Sequence, residues 1–316
     1  MTKPRAYSAA LSAPPPAGLA PLWEMIRAGL EDVLDIQPAP AVLREELALA
    51  HQAHYLEHVF NDGLSRAESL KLGRPFGPEL LQRALYSAGG TLAALEDALR
   101  DGLGLNLGGG THHAYPDRAE GYSLFNDVAV AVAKLRSETW FRRDSGVAWF
   151  RRDSGVGYWG RVLVVDLDVH QGNGTAVFFR DDPSVFTLSL HGQNNYPQVK
   201  EQSDLDVSLP DGTGDEAYLE ALEPALEEAF ASRPELVFFN SGVDVLAGDR
   251  LGRLALSLEG LAERNRRVYR KVRESGAALV VVGGGGYHPD LRKLTEARVQ
   301  TYRQAVRELW AQIEAP

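Results

Sequence analysis

The chain of 316 residues carries 33 Lys and Arg against 43 Asp and Glu, a formal net charge of −10 at pH 7, and this acidity argues against nucleic acid as a direct partner because phosphate binding needs a basic surface. It has no cysteine, which excludes a disulfide framework and any thiolate metal site, so a bound metal must use His, Asp or Glu. With 44% apolar and 24% charged residues, no apolar run of membrane-spanning length and no signal-type core, it reads as a globular cytoplasmic chain with no membrane partner.

Residues 1–20, rich in Ala and Pro, read as irregular. Residues 21–35 have helical spacing, with Leu22, Ile26, Leu30 and Val33 on one side. Residues 41–60 read as one or two helices carrying His51, His54 and His58 on one face. Without an accompanying carboxylate cluster these are surface or packing histidines rather than ligands. Residues 78–101 read as a helix interrupted by Gly89 and Gly90, a pair that costs about 2 kcal/mol in propensity and would let the helix approach a neighbour closely.

From there a grammar repeats: short apolar runs end in glycine-rich or polar turns. Leu103–Leu107 ends in Gly108–His113, Val162–Val169 in His170–Thr175, and Val185–Leu190 in His191. Leu236–Asn240 ends in Ser241–Asp244, and Ala278–Val282 in Gly283–Tyr287. Five strands that each discharge polar residues at the carboxyl end describe a parallel α/β sheet with a site along that edge. Helices at 124–138, 215–231 and 259–274 supply the crossovers, and no linker argues for a second domain, so residues 1–316 are expected to form one. A tandem near-copy, WFRRDSGV at 140–147 and 149–156, reads as an exposed loop inserted at 140–157.

The stretch Gly160–Thr175, GRVLVVDLDVHQGNGT, organises the chain. Its apolar start reads as a buried strand. Asp166, Asp168 and His170 then occupy every second position and share a face. Charged groups there are costly to bury unless an ion compensates them, and a metal is the usual reason. Asp168, His170 and Asp244 could give one metal three ligands and leave a position open, the catalytic pattern. His112 and His113, after a triple-glycine turn, are candidate acid–base groups. Tyr287, presented by four glycines, could donate its hydroxyl to a developing oxyanion.

The motifs GGGTHHAYPDRAEGYSLFND (108–127), VVDLDVHQGNGT (164–175), SLHGQNNYP (189–197), SGVDVLAGDRLGRLALS (241–257) and GGGGY (283–287) resemble, in order and over roughly residues 40–290, the metal-dependent histone deacetylase family. The likeness is closest to bacterial deacetylase-like and class IV members. It implies a single-domain arginase–deacetylase fold, a central parallel sheet flanked by helices with the active site at the carboxyl ends of the strands. It implies zinc, or ferrous iron, on Asp168, His170 and Asp244. By match, His113 would activate the attacking water and then protonate the leaving amine, and His112 would tune the local charge. Asp166 would orient His112, Asn173 would face His113, and Tyr287 would polarise the acyl carbonyl. Gly121, Tyr122, Tyr196 and Gly285 would line an acyl tunnel. Asp166, Asp168, His170, Ser189 and Leu190 would surround a structural potassium ion.

The implied reaction is zinc-dependent removal of an acetyl or longer acyl group from an amine, with an acyl-lysine peptide or protein, or a small acylated amine such as an acetylpolyamine, as partner. A two-manganese ureohydrolase and a catalytically silent acyl-lysine-binding module are the rivals. The sequence departs from the family at Asn173, where some members carry Asp, and in APPPAGLAPLW (13–23), where the family's usual His-x-Phe-Pro element is not evident.

Overall fold

The computed structural model describes residues 2–13, 15, 18–137, 140–142, 149–151 and 160–310. Its strands are β1 (Arg5–Ser8), β2 (Asp35–Pro38), β3 (Leu103–Asn106), β4 (Trp140–Arg142), β5 (Trp149–Arg151), β6 (Val162–Asp166), β7 (Val185–Gly192), β8 (Leu205–Leu209), β9 (Leu236–Asn240) and β10 (Ala278–Val282). Eight of them form one sheet in the order β2-β1-β3-β10-β9-β6-β7-β8, and every neighbouring pair is parallel. Helices cover both faces, as an α/β reading requires.

The core follows from strand periodicity. Alternate side chains point to opposite faces, so each apolar run feeds two hydrophobic layers. Leu163, Val165, Val237, Phe239, Leu279 and Val281 pack on one side among residues of the helices Asp215–Phe230, Leu258–Ser275 and Leu291–Ala305. Val162, Val164, Leu236, Phe238, Val280 and Val282 pack on the other among residues of the helices Pro78–Asp101 and Asp127–Ser137. The glycine pair in Pro78–Asp101 does allow close approach. A Cβ on Gly89 would lie 2.0 Å from the Pro40 carbonyl oxygen. No helix among the described residues is long and apolar enough to cross a membrane.

Several expectations are corrected. Residues 1–20 are not irregular throughout: β1 is paired on both sides, and the Tyr7 hydroxyl donates to buried Asp97 at 2.8 Å. A four-residue strand has too little periodicity to read, and pairing with distant β2 and β3 decides it. The sheet has three more strands than expected, β1, β2 and β8, of which β2 and β8 are edges with exposed positions. The helix at 21–35 spans only Ala20–Ala28.

The central strand stops at Asp166 rather than Val169. The Asp166 carboxylate accepts the Asp168 backbone N–H at 3.1 Å, and the Asp168 carboxylate accepts that of His170 at 3.0 Å. These side chains take the donors a ladder would use, so the chain bends. Within the tandem copy, β4 and β5 pair antiparallel, Trp140 opposite Arg151, where a loop was expected. Residues 143–148 and 152–159 of that segment lie outside the described residues.

Candidate active site

A cavity of about 470 Å³ opens at the carboxyl ends of the central strands, and His112, His113, Asp168, His170, Asp244 and Tyr287 all line it. The strands end together, so residues distant in sequence converge. The loop after β3 is fixed from below by Asp127, at the start of its helix. The Asp127 carboxylate accepts from the backbone of Gly110 (3.0 Å) and Thr111 (2.8 Å) and from the hydroxyls of Thr111 (2.7 Å) and Thr91 (2.6 Å). That grip delivers His112 and His113 to the cavity.

The two histidines are bonded differently. His112 Nδ1 lies 2.6 Å from Asp166 Oδ2, and His113 Nδ1 lies 2.6 Å from Asn173 Oδ1. Their Nε2 atoms approach to 3.1 Å. Burial works against a charge on His112, but Asp166 and Asp168 outweigh it and lift it to about 9. Burial pushes His113 well below 6.5, and neighbouring His112 and His170 push the same way. The site thus favours a proton on His112 and disfavours one on His113. Asn173 donates its amide N–H groups to Glu120 (3.0 Å) and the Tyr115 hydroxyl (3.1 Å), so its oxygen faces His113. His113 then carries its proton on Nδ1 and leaves Nε2 as a base.

Asp168, His170 and Asp244 each offer an atom within 4.8 Å of the others. His170 Nδ1 sits 2.9 Å from Asp168 Oδ1 and 3.3 Å from Asp244 Oδ2. Burial disfavours a charged His170, but its bonds to Asp168 and Asp244 raise it to about 10. Burial, then the facing Asp168, raises Asp244 to about 6. Asp244 Oδ2 is buried without a hydrogen-bond partner among the described residues, whereas Oδ1 accepts from Val169 at 2.9 Å. Two buried carboxylates facing one imidazole, with Asp244 Oδ2 in ion-pair contact at 3.3 Å but making no hydrogen bond, fit a divalent cation. The oxygen and nitrogen donors suit zinc or ferrous iron. Gly285 closes this floor: its N–H donates to Asp168 Oδ2 at 2.6 Å, and a Cβ there would stand 2.1 Å from Asp244 Oδ2.

Tyr287 is presented on the pocket wall by its backbone N–H, which donates to Asp249 at 2.6 Å. Burial lifts its hydroxyl to about 12, so it remains a donor. Tyr122 holds φ +63°, a left-handed conformation that costs an ordinary residue about 1–2 kcal/mol, and its ring faces that of Tyr287 at 6.0 Å. Tyr196 stands perpendicular to the His113 ring at 5.0 Å. Gly121 also touches that ring, and a Cβ on it would lie 2.5 Å from His113 Cδ2.

The four expected tunnel residues share one pocket with His112, His113 and Tyr287, whereas Asp166 and Asn173 do not line it and reach it through the two histidines. In the expected potassium set, Asp166 Oδ1 accepts from Asn240 at 2.9 Å and the Ser189 hydroxyl meets His191 at 2.9 Å. His51 is buried and accepts the Asn126 N–H at 3.1 Å, while His58 bonds Glu68 at 3.0 Å, so these are packing and surface groups as read.

Sequence reasoning missed Glu120, Asn240, Asp249 and Arg264. Arg264 is fully buried and donates to the carbonyls of Gly242 (2.7 Å) and Leu167 (3.1 Å), bracing the two loops that carry Asp244 and Asp168. Its place on a strongly amphipathic helix hid it, because a cation in such a sequence reads as solvated. Asn240 ends a strand, the one signal that could have flagged it.

The parallel sheet and this cluster at its carboxyl edge define the arginase–deacetylase superfamily. The histone deacetylase domain profile matches residues 16–302, and the chain belongs to the histone deacetylase family. It is 38% identical over 263 residues to an uncharacterized protein of Picosynechococcus sp., covering 83% of this chain and 82% of that one. It is 32% identical to histone deacetylase 2 of Arabidopsis thaliana (82% of this chain, 64% of that one). It is 34% identical to a histone deacetylase-like amidohydrolase of Pseudomonas aeruginosa (82% and 68%). Family membership makes it a deacetylase-type hydrolase.

Proposed function

We propose that this chain hydrolyses the amide of an acylated amine, the ε-amine of lysine foremost, releasing an acetyl or longer acyl group. The observation that carries the reading is His113, its Nδ1 2.6 Å from Asn173 Oδ1, lining the same pocket as Asp168, His170 and Asp244, with the buried Asp244 Oδ2 making no hydrogen bond among the described residues. Those three residues would hold one zinc or ferrous ion. When bound, the ion acts as a Lewis acid on the acyl carbonyl and lowers the pKa of a water to roughly 7.

The chain's own groups do the rest. His113 Nε2 takes the proton of the attacking water and returns it to the departing nitrogen. His112, held charged by Asp166, stabilises negative charge nearby. Tyr287 donates its hydroxyl to the oxyanion. Tyr122, Tyr196 and Gly121 flank the acyl group. The potassium ion implied by the resemblance, beside Asp166, Asp168, His170, Ser189 and Leu190, would be structural.

Metal-loaded protein assayed on a panel of acetyl- to myristoyl-lysine peptides and acetylpolyamines tests the reading. Turnover that chelation abolishes and zinc, iron or cobalt restores supports it. Binding of acyl-lysine without turnover points to the silent module, and two metals per chain to the ureohydrolase.

A further inference from the structure

We infer that Glu120 is a positioning residue that locks the amide of Asn173, and that its carboxylate is the reason residue 173 is an amide rather than an acid in this chain. The inference rests on the reading of His113 as the base.

Glu120 joins the pocket wall to the partner of the base. Its Oε1 accepts from Asn173 Nδ2 at 3.0 Å and from the Tyr196 hydroxyl at 2.5 Å, and its Oε2 accepts from Arg118 Nε at 3.2 Å. Arg118 is itself held over the Tyr115 ring at 3.4 Å. Tyr115 takes the second Asn173 N–H and donates its own hydroxyl proton to Glu201 at 3.0 Å. An ionised carboxylate accepts and never donates. Glu120 therefore permits one orientation of the Asn173 amide, nitrogen toward Glu120 and oxygen toward His113. That orientation fixes the Nδ1–H tautomer of His113 and leaves its Nε2, which faces His112 Nε2 at 3.1 Å, as the acceptor.

The same geometry forbids a carboxylate at 173. An Asp side chain there would set one oxygen against Glu120 Oε1 and the other against His113 Nδ1. A carboxylate on buried residue 173, about 3 Å from the partly buried Glu120, is disfavoured in its charged form, so one of the two would take a proton and the bonding order would break. Replacing Glu120 by Gln supplies an N–H in its place and should make Asp at 173 tolerable.

The test is a double-mutant cycle with Asn173→Asp and Glu120→Gln, read as kcat and KM on the acyl-amine the wild type turns over. Asn173→Asp alone should lose kcat by tenfold or more, and adding Glu120→Gln should restore most of it, a coupling of about tenfold. Additive losses, or an unimpaired Asn173→Asp, overturn the inference while leaving wild-type turnover, and with it the functional reading, intact. An activity-independent arm uses ¹⁵N NMR of the His113 ring. The wild type should show one Nδ1–H tautomer and Glu120→Ala a mixture, and an unchanged spectrum in a folded Glu120→Ala protein counts against the lock.

Discussion

The floor of the pocket and its mouth are built by different means. Asp168 and Asp244 at the floor are essentially inaccessible and sit just past strand ends, where backbone N–H groups of His170, Gly285 and Val169 fix their carboxylates. At the mouth, Tyr122, Tyr196 and Leu251 come from loops and are 42%, 36% and 38% exposed. Strand ends carry little freedom because both faces of the sheet are packed, so the floor dictates one chemistry. Loop side chains can change without disturbing the core, so the mouth is where a substrate is chosen. Substitutions at the floor should abolish turnover, and those at the mouth should redirect it.

The largest effect is expected for Asp244→Asn. It removes the unsatisfied buried oxygen that a cation would take, so metal content measured by elemental analysis should fall from near one per chain to near zero. Activity should drop by roughly a thousandfold or more. Because the Asp244 pKa is raised from 3.8 to about 6, ionising it costs the folded chain stability that is lost as pH rises between those values and stays lost above them. The chelated Asp244→Asn protein should consequently melt no lower than chelated wild type at pH 7.5. A lower Tm would show that the carboxylate serves structure rather than an ion. Tyr287→Phe comes next, with kcat falling about a hundredfold and KM moving little, as for a donor used only in the transition state. Equal losses in both would make Tyr287 a binding wall.

How much of this was legible in the sequence divides along the same line. The apolar runs at β3, β6, β7, β9 and β10 are buried on both faces and announce themselves. So do the floor residues, because Asp and His at the end of such runs contradict burial. β1, β2 and β8 were hidden because pairing, not periodicity, makes them strands. The end of β6 was misplaced because carboxylate-to-backbone bonds override an apolar pattern. Glu120 was invisible for a different reason. A charged residue beside Gly121 reads as solvated until Asn173 and Tyr196, more than fifty residues away, are seen to converge on it together with the nearby Arg118.

A smaller effect sits between floor and mouth. His113 is depressed well below 6.5, by burial first and then by His112 and His170. A base with a depressed pKa stays neutral as pH falls, so the acidic limb of kcat/KM should lie below pH 6.5. An anionic partner favours the imidazolium, so Asn173→Asp in the Glu120→Gln background should move that limb upward. A limb that stays fixed in the paired variant would mean that residue 173 orients His113 without setting its charge.

The smallest effects are expected at the mouth, where they bear on the substrate. Lys71 and Arg253 line the pocket, and the Arg74 guanidinium lies 4.8 Å over the Tyr122 ring. The acidic side chains lining it, among the described residues, are Asp168 and Asp244 at the floor. Arg253 is already paired with Asp211 at 3.3 Å, which leaves Lys71 the less compensated cation of the two; on the proposed reading this rim should favour an acyl-lysine flanked by Asp or Glu over a cationic acetylpolyamine. Exposed charges interact by about 0.2–1 kcal/mol, so Lys71→Glu and Arg253→Glu should each cost about two- to fivefold in kcat/KM on acidic peptides and gain a similar factor on basic ones. The difference should shrink as salt shortens the Debye length below about 10 Å. A preference that survives both substitutions and high salt would place selectivity in the aromatic walls, Tyr122 and Tyr196, and acyl-chain length rather than flanking charge would then be the variable to follow.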